Sequence, residues 1–358
     1  MRFLMAGGGT GGHVIPALAV ARELQRRGHE AFFVGTREGI EARLVPAAGF
    51  PIEWIEIGGL KRVGVARRVR TLGQLALGTL KLTRALGRWR PAAVFSMGGY
   101  VAGPVVLAAA LRRIPMVLME PNAAPGMTNR WMGRVAARTL ISFPETARHF
   151  PKGKAELTGL PVRAEFFALP SKPREQVLNV LITGGSQGSR TLNRAARQSW
   201  PLFREAGLPI RLTLQAGREA HAELARDFAA TGLAGEVVSF IDDMPAAFAS
   251  ADLVVCRSGA GAVAELAASG RPAILVPFPF AADDHQRRNA EALASAGAAR
   301  LVPDREFTGQ RLLEEVRSIA KEAGLLERMG EAARRFAQPR AAERAAELLE
   351  QAAAGARF

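Results

Sequence analysis

A chain of 358 residues is too long for one ordinary open-sheet domain and long enough for two, each able to bury a core. Its 48% hydrophobic and 23% charged residues exclude a disordered protein, and a lone cysteine, Cys256, excludes an internal disulfide or a multi-cysteine metal site. A formal charge of +15 demands an anionic partner without naming it, because nucleic acid, anionic lipid and phosphorylated substrates all satisfy it.

Residues 2–6 read as a buried strand that runs at once into a glycine turn over 7–12 and a helix. That leaves no room for a signal peptide, so the chain is expected to stay in the cytoplasm. The longest apolar runs, 102–111 and 272–282, fall short of the ~20 residues of a membrane span. Further strands are predicted over 31–34, 93–96 and 116–119, the one at 93–96 being the third in the chain and followed by a glycine turn over 96–104. Between the second and third, residues 60–89 interleave Val65, Val69, Leu72, Leu75, Leu80, Leu82 and Leu86 with Lys61, Arg62, Arg67, Arg68, Arg70, Lys81, Arg84 and Arg88. Such a stretch is either an apolar, basic surface for an anionic membrane or a core helix with a solvated basic face.

Pro161, Pro170 and Pro173, around Arg163 and Lys172, mark 159–173 as a linker. The expected domains are 1–160 and 161–358, the C-terminal helices of the second being free to pack back on the first. In the second, strands are predicted over 180–183, 211–214, 237–240, 253–256 and 273–276, with glycine turns at 184–188 and 258–261. The strand, turn and helix of 4–21 recur at 181–196, so the two halves are alike. Residues 338–354 read as one or two amphipathic helices on the outside. The fold class is therefore α/β: two Rossmann-like, doubly wound parallel-sheet domains facing a cleft.

Glycine turns at strand ends let backbone amides and helix N-termini approach phosphate oxygens. Gly7, Gly9 and Gly12 match G-x-G-x-x-G, but Gly35, Thr36 and Arg37 stand where an acidic residue would hold the ribose of NAD, which disfavours NAD and leaves NADP open. His13 replaces the lysine of an ATPase phosphate loop. No H-E-x-x-H or D-x-D pattern supplies metal ligands, so amides, helix dipoles and arginine would have to meet a leaving diphosphate. His13, at the start of a helix, is placed either as a general base or as a structural cap. Glu265, one or two turns into a helix after 258–261, is suited to ribose hydroxyls or to a surface salt bridge. Cys256 reads as core. His29, His149 and His221 read as surface or loop residues, and only His285, beside Asp283, Asp284 and Gln286, has a suggestive setting.

Taken in order, several motifs resemble the MurG family of bacterial cell-wall glycosyltransferases, nearly end to end. They are Gly8-Gly9-Thr10-Gly11-Gly12-His13 with Pro16-Ala17, Gly98-Gly99-Tyr100-Val101-Ala102-Gly103-Pro104, residues 126–129 and Gly184-Gly185-Ser186-Gln187-Gly188. Later come Phe240-Ile241-Asp242-Asp243-Met244, Arg257-Ser258-Gly259-Ala260 and Asp284-His285-Gln286 with Asn289-Ala290. The resemblance implies a GT-B fold that needs neither metal nor cofactor, with UDP-N-acetylglucosamine on the C-terminal domain and lipid I on the N-terminal one. It implies donor contacts from the Ile241 backbone to uracil, from Glu265 to ribose, from Ser186 and its neighbour Gln187 to diphosphate, and from Ala260, Gly261, Ala262, Val263 and Ala264 through their amides. Gln286 and Asn122 would meet sugar hydroxyls, Arg163 would serve at the domain junction, and Thr10, Gly11 and Gly12 would line the cleft. Gly98, Gly99, Tyr100 and Glu120 would face the acceptor, and His13 would be the base. An enzyme of this family would sit peripherally on the cytoplasmic face of the cell membrane, against anionic lipid. The family usually has Glu-Gln-Asn at Glu120-Pro121-Asn122 and Gly-Asn-Pro at Gly159-Leu160-Pro161, so one side-chain amide is missing at each place. A glycolipid-forming transferase or a UDP-N-acetylglucosamine 2-epimerase would share the architecture. A nucleic-acid-binding protein is disfavoured by 6% aromatics, a single tyrosine at Tyr100 and the lack of any RNA or DNA motif.

Overall fold

The computed structural model describes residues 1–55, 78–170, 176–185 and 187–355. The chain divides into two compact units, Met1–Val162 with Gln338–Phe358, and Arg163–Ala337.

In the first unit the described strands are β1 (Arg2–Ala6), β2 (Glu30–Gly35), β3 (Ile52–Trp54), β4 (Ala93–Ser96), β5 (Met116–Glu120), β6 (Arg138–Ile141) and β7 (Ala155–Leu157). All pair in parallel, in the order β3-β2-β1-β4-β5-β6-β7. Continuous apolar runs such as Phe3, Leu4 and Met5 in β1 suit strands covered on both faces. The strand order reverses between β1 and β4, and Ala6 lies opposite Ser96 in register. The turns that follow these two strands therefore leave the sheet side by side, at the switch point where such folds bind ligands. Helix α1 (Gly11–Arg26) follows β1, and α2 (Glu41–Ala47) follows β2. Residues 78–89 are helical (α3), α4 (Gly99–Leu111) follows β4 and α5 (Met127–Met132) follows β5.

The second unit repeats the scheme with β8 (Leu178–Thr183), β9 (Ile210–Gln215), β10 (Ala234–Val238), β11 (Leu253–Cys256), β12 (Ala273–Leu275) and β13 (Ala299–Leu301), ordered β10-β9-β8-β11-β12-β13. Thr183 lies opposite Cys256, so the turns after β8 and β11 flank the second switch point. Helices α6 (Arg190–Glu205), α7 (Arg218–Ala229), α8 (Met244–Ser250), α9 (Ala260–Ser269), α10 (His285–Ser295), α11 (Gly309–Lys321) and α12 (Leu325–Arg334) complete it. Cys256 is buried in β11, and burial pushes its thiol up to about 12, as suits a core residue.

The last helix, α13 (Ala341–Ala353), returns to the first unit, packing on α1, β4 and β5. It buries Ala345, Ala346, Leu348 and Leu349 there. Ion pairs fasten it: Arg344 to Glu156 at 2.6 Å, and Arg27 to Glu350 at 3.0 Å.

One expected strand shifts, and others had no expectation attached. The strand predicted over 237–240 lies at Ala234–Val238 instead, because Val238 is the last residue in register with β9 and Phe240 stands out in solvent. The edge strands β3, β7 and β13 and the short β6 carry too few apolar residues to stand out in the sequence. Of the two readings of 60–89, the described part fits the core helix with a solvated basic face: Leu82 and Leu86 are buried in the core of the first unit, leaving Lys81, Arg84 and Arg88 exposed. The rest of that stretch, 56–77, lies outside the described residues.

Candidate active site

In the first unit the switch point is built from the turn after β1. Gly9 adopts φ +86°, a conformation open to glycine at little cost, and this turns the chain into α1. Thr10 precedes that helix but gives no side-chain cap, and no acidic residue occupies the first turn. The leading amides of Gly11 and Gly12 are therefore left to a ligand or to water at the positive end of the helix dipole. His13 follows, half-buried, with Nδ1 3.3 Å from the Gly8 carbonyl oxygen. A carbonyl oxygen only accepts, so this contact is a hydrogen bond when Nδ1 carries the proton, the tautomer whose neutral ring keeps a lone pair on Nε2. The ring lies against Gly99: a Cβ there would come 3.1 Å from His13 Cε1.

Gly98 and Gly99 have φ of +74° and +79° and bring the start of α4 to the same place. Tyr100 lies in the first turn of α4; its side chain is outside what is described. Beneath them, Glu120 ends β5 at 1% exposure. Its Oε1 accepts from the Asn122 amide at 3.0 Å and from Asn122 Nδ2 at 3.2 Å. Its Oε2 accepts from the Gly126 amide and from Asn129 Nδ2, both at 3.0 Å. Burial pushes the pKa of this carboxyl upward while the four donors pull it down. Glu120 is thus placed to shape the turn around Asn122 from below, with both oxygens already engaged. Asn129, buried against Gly98, is a further organising residue that motif reading had left without a role.

In the second unit the turn after β8 is held from inside. Thr183 Oγ1 donates to Gln215 Oε1 at 2.5 Å and accepts from the Gly185 amide at 3.2 Å. A Cβ on Gly188, where φ is +73°, would fall 2.1 Å from the Ala216 carbonyl oxygen. Gln187 is exposed at the tip of this turn, and Ser186 is outside the described residues. Helix α9 opens after Gly259 with no side-chain cap and no acid in its first turn, so the amides of Ala260, Gly261 and Ala262 face outward, while Val263 closes the first turn onto Gly259. A Cβ on Gly261 would meet nothing within 4 Å, so that end of the helix is open to a ligand.

Gln286 lies beside this terminus. Its Nε2 is 3.9 Å from where a Gly259 Cβ would be, and its Oε1 accepts from the Phe278 amide at 3.0 Å. Ser258 Oγ donates to the Gln286 carbonyl at 2.8 Å, and Asn289 Nδ2 donates to the Ser258 carbonyl at 3.1 Å. Glu265 stands two turns into α9, with Ala264 before it. Part of the residue remains exposed, yet enough water is removed from its carboxyl to push the pKa up to about 7, against the opposing field of Arg163. Arg163 lies over the Phe166 ring at 5.1 Å, which keeps its guanidinium on that side. Ile241, in the loop after β10, is half-buried beside Asp243, whose carboxylate caps α8. Arg257 ties this unit's turns together, reaching Ser189 Oγ at 2.9 Å, the Val276 carbonyl at 3.0 Å and Asp304 at 2.5 Å. Its sequence position gave no sign of that role.

Among the described residues, no group of three or more His, Cys, Asp or Glu is placed to hold a metal ion. No helix among them is long and apolar enough to cross a membrane.

The family model for the glycosyltransferase family 28 N-terminal domain matches residues 3–141, and that for its C-terminal domain matches residues 179–347. A UDP-N-acetylglucosamine–N-acetylmuramyl-(pentapeptide) pyrophosphoryl-undecaprenol N-acetylglucosamine transferase of Solibacter usitatus is 64% identical over 98% of this chain and 96% of its own length. The protein of the same name from Anaeromyxobacter sp. (strain K) is 44% identical over 97% of this chain and 92% of its own. Among solved structures, Acinetobacter baumannii MurG superposes with a TM-score of 0.80 at 34% identity, covering 98% of this chain and 99% of that one. Both switch points, with their uncapped helix starts, fall within the matched regions, and the chain belongs to the MurG branch of glycosyltransferase family 28.

Proposed function

We propose that this protein transfers N-acetylglucosamine from UDP-N-acetylglucosamine to lipid I, the polyprenyl-linked muramyl-pentapeptide, giving lipid II for peptidoglycan synthesis. The observation that carries this reading is the 64% identity, over nearly the whole of both chains, to a transferase named for that reaction. The second unit supports the donor assignment. The open N-terminus of α9, with the amides of Ala260, Gly261 and Ala262 outward and that of Val263 already given to Gly259, suits a diphosphate, as does Gln187 in the turn after β8. Glu265 suits the ribose diol, the Ile241 backbone the uracil, and Gln286 and Arg163 the sugar and phosphate groups. In the first unit, the amides of Gly11 and Gly12, next to Thr10 at the start of α1, suit an anionic group, and Gly98, Gly99 and Tyr100 suit the acceptor, with the buried Glu120 shaping the turn around Asn122 rather than reaching the acceptor itself.

The reaction is a single displacement. The acceptor 4-hydroxyl oxygen attacks the anomeric carbon, the bond to the UDP oxygen breaks, UDP leaves with the electron pair, and the configuration inverts. The hydroxyl proton passes to His13 Nε2, the ring nitrogen left as acceptor when Nδ1 donates to Gly8. Main-chain amides, rather than a cation, meet the charge on the diphosphate. Labelled UDP-N-acetylglucosamine with a short-chain lipid I analogue should give the disaccharide product, at an unchanged rate in EDTA. Consumption of the donor at the same rate without acceptor would overturn the reading in favour of an epimerase.

A membrane surface fits the same reading. Met127, Trp131 and Val135 are 72%, 67% and 60% exposed at four-residue spacing along α5 and the turn beyond it, and Leu111 is exposed on α4, which packs against α5. Arg130 and Arg134 rise among them, Arg134 lying 5.3 Å from the Trp131 ring. Apolar insertion plus about 1 kcal/mol for each basic side chain near anionic lipid would hold the enzyme peripherally at the cytoplasmic face. Co-sedimentation with anionic vesicles should fall with salt and with Trp131→Ala; indifference to both would remove this part.

A further inference from the structure

We infer that Glu41 is a positioning residue for His13, acting through the peptide that joins Gly8 to Gly9; this rests on His13 being the proton acceptor. Glu41 opens α2, yet its side chain is 0% exposed. Its Oε2 accepts from the Gly9 amide at 2.8 Å, and its Oε1 accepts from the Thr36 amide and hydroxyl, both at 3.0 Å. The carboxylate fills a slot walled by glycines. A Cβ on Gly8, Gly35 or Gly39 would lie 2.6, 2.5 or 2.1 Å from Glu41 atoms. Glu41, at the start of the helix after the second strand, thus turns inward onto the glycine turn.

The Gly9 amide and the Gly8 carbonyl belong to one trans peptide, so they point in opposite directions. Glu41 takes the N–H, and the C=O is thereby aimed at His13 Nδ1, 3.3 Å away. Between two glycines such a peptide flips at little steric cost, Gly9 already lying at φ +86°. A flip would present N–H to Nδ1, which would then have to be the acceptor, placing the ring proton on Nε2. That tautomer cannot take the proton of an attacking hydroxyl at Nε2. The Glu41 carboxylate therefore selects the tautomer that catalysis needs, without touching substrate.

The test combines Glu41→Gln with His13→Ala. A glutamine cannot accept at both ends, so either the Gly9 or the Thr36 amide loses its partner. In the wild-type background Glu41→Gln should lower kcat about 10- to 100-fold, part of the range usual for general-base catalysis, with KM for UDP-N-acetylglucosamine within two-fold. In the His13→Ala background it should lower kcat no further. A further loss of the same size there, or no loss in either background, overturns the inference. A wild-type kcat for His13→Ala instead sinks His13 as base, a separate failure. Nitrogen-15 spectra of histidine-labelled protein give a readout free of activity: the Nδ1–H tautomer of His13 should dominate in wild type, and the Nε2–H form should grow in Glu41→Gln. Thr36→Val, which removes only the hydroxyl donor, serves if Glu41→Gln does not fold, and is expected to move the tautomer the same way by less. An unchanged tautomer ratio in the folded variants also overturns the inference.

Discussion

At the scale of single residues, the chemistry turns on groups whose protonation is set by their surroundings. Glu265 is the clearest case, its carboxyl pushed up to about 7 by burial. Only its ionised form can accept from both hydroxyls of a ribose, and an affinity that depends on one form scales with the fraction in that form. With a pKa near 7 that fraction is about a tenth at pH 6 and about nine tenths at pH 8, so UDP should bind several-fold more tightly at the higher pH. Glu265→Gln should bind UDP more weakly at pH 8 and lose this dependence. Because the nucleotide phosphate also titrates, the quantity to follow by calorimetry is the ratio of the two proteins' affinities across the range. A ratio constant from pH 6 to pH 8 would mean that Glu265 does not hold the ribose. The linkage also runs through folding: a carboxyl with a raised pKa is tolerated best below its ordinary value, and its cost grows as pH rises from about 4.5 toward 7. His13 and Glu265 were legible in the sequence because each follows a glycine turn at a helix start, a pattern that needs only local spacing. Glu41, Asn129 and Arg257 were not, since each acts on a group remote from it in the chain: Glu41 on Gly9, Asn129 against Gly98 and Arg257 on Asp304.

At the scale of elements, the central strands could be read from their apolar runs, because parallel strands covered on both faces are apolar throughout. The edge strands could not: three-residue segments such as Ala155–Leu157 gain their pairing from a neighbour, which no local pattern reports. Glycine turns carry their own specification, and they differ in kind. Gly188 combines φ +73° with the Ala216 carbonyl 2.1 Å from a would-be Cβ, whereas Gly207, at φ +59°, has nothing within 4 Å of one. Gly207→Ala should therefore cost only the left-handed conformation, about 1 kcal/mol. Gly188→Ala must in addition push the backbones of two adjacent loops apart, and should cost at least about 2 kcal/mol and weaken UDP binding. Urea unfolding of the pair compares the two directly. Equal midpoints would show that the turn after β8 yields freely, and that its shape is not what holds a diphosphate.

At the scale of the whole molecule, the chain leaves the first unit at Val162 and comes back to it at Gln338, so twenty-odd residues from the far end complete a core begun at Met1. The amphipathic pattern of 338–354 disclosed a helix, but the surface it covers is a matter of tertiary packing, and periodicity alone could not name it. The size of the contribution decides how much depends on this return. Leu348 and Leu349 are both buried in the first unit, and losing a leucine side chain from a core costs about 2–5 kcal/mol. Two of them, with the Arg344–Glu156 and Arg27–Glu350 pairs, approach the whole stability of an ordinary domain, about 5–15 kcal/mol. A protein ending at Ala337 should therefore keep a folded second unit and lose the first. Hydrogen exchange followed by mass spectrometry should show α1, β4 and β5 exchanging rapidly while β8, β9 and β11 stay protected, with UDP still bound by the second unit. Protection lost evenly from both sheets would mean that the units fold only together, and protection kept in both would mean that α13 adds little to the core it covers.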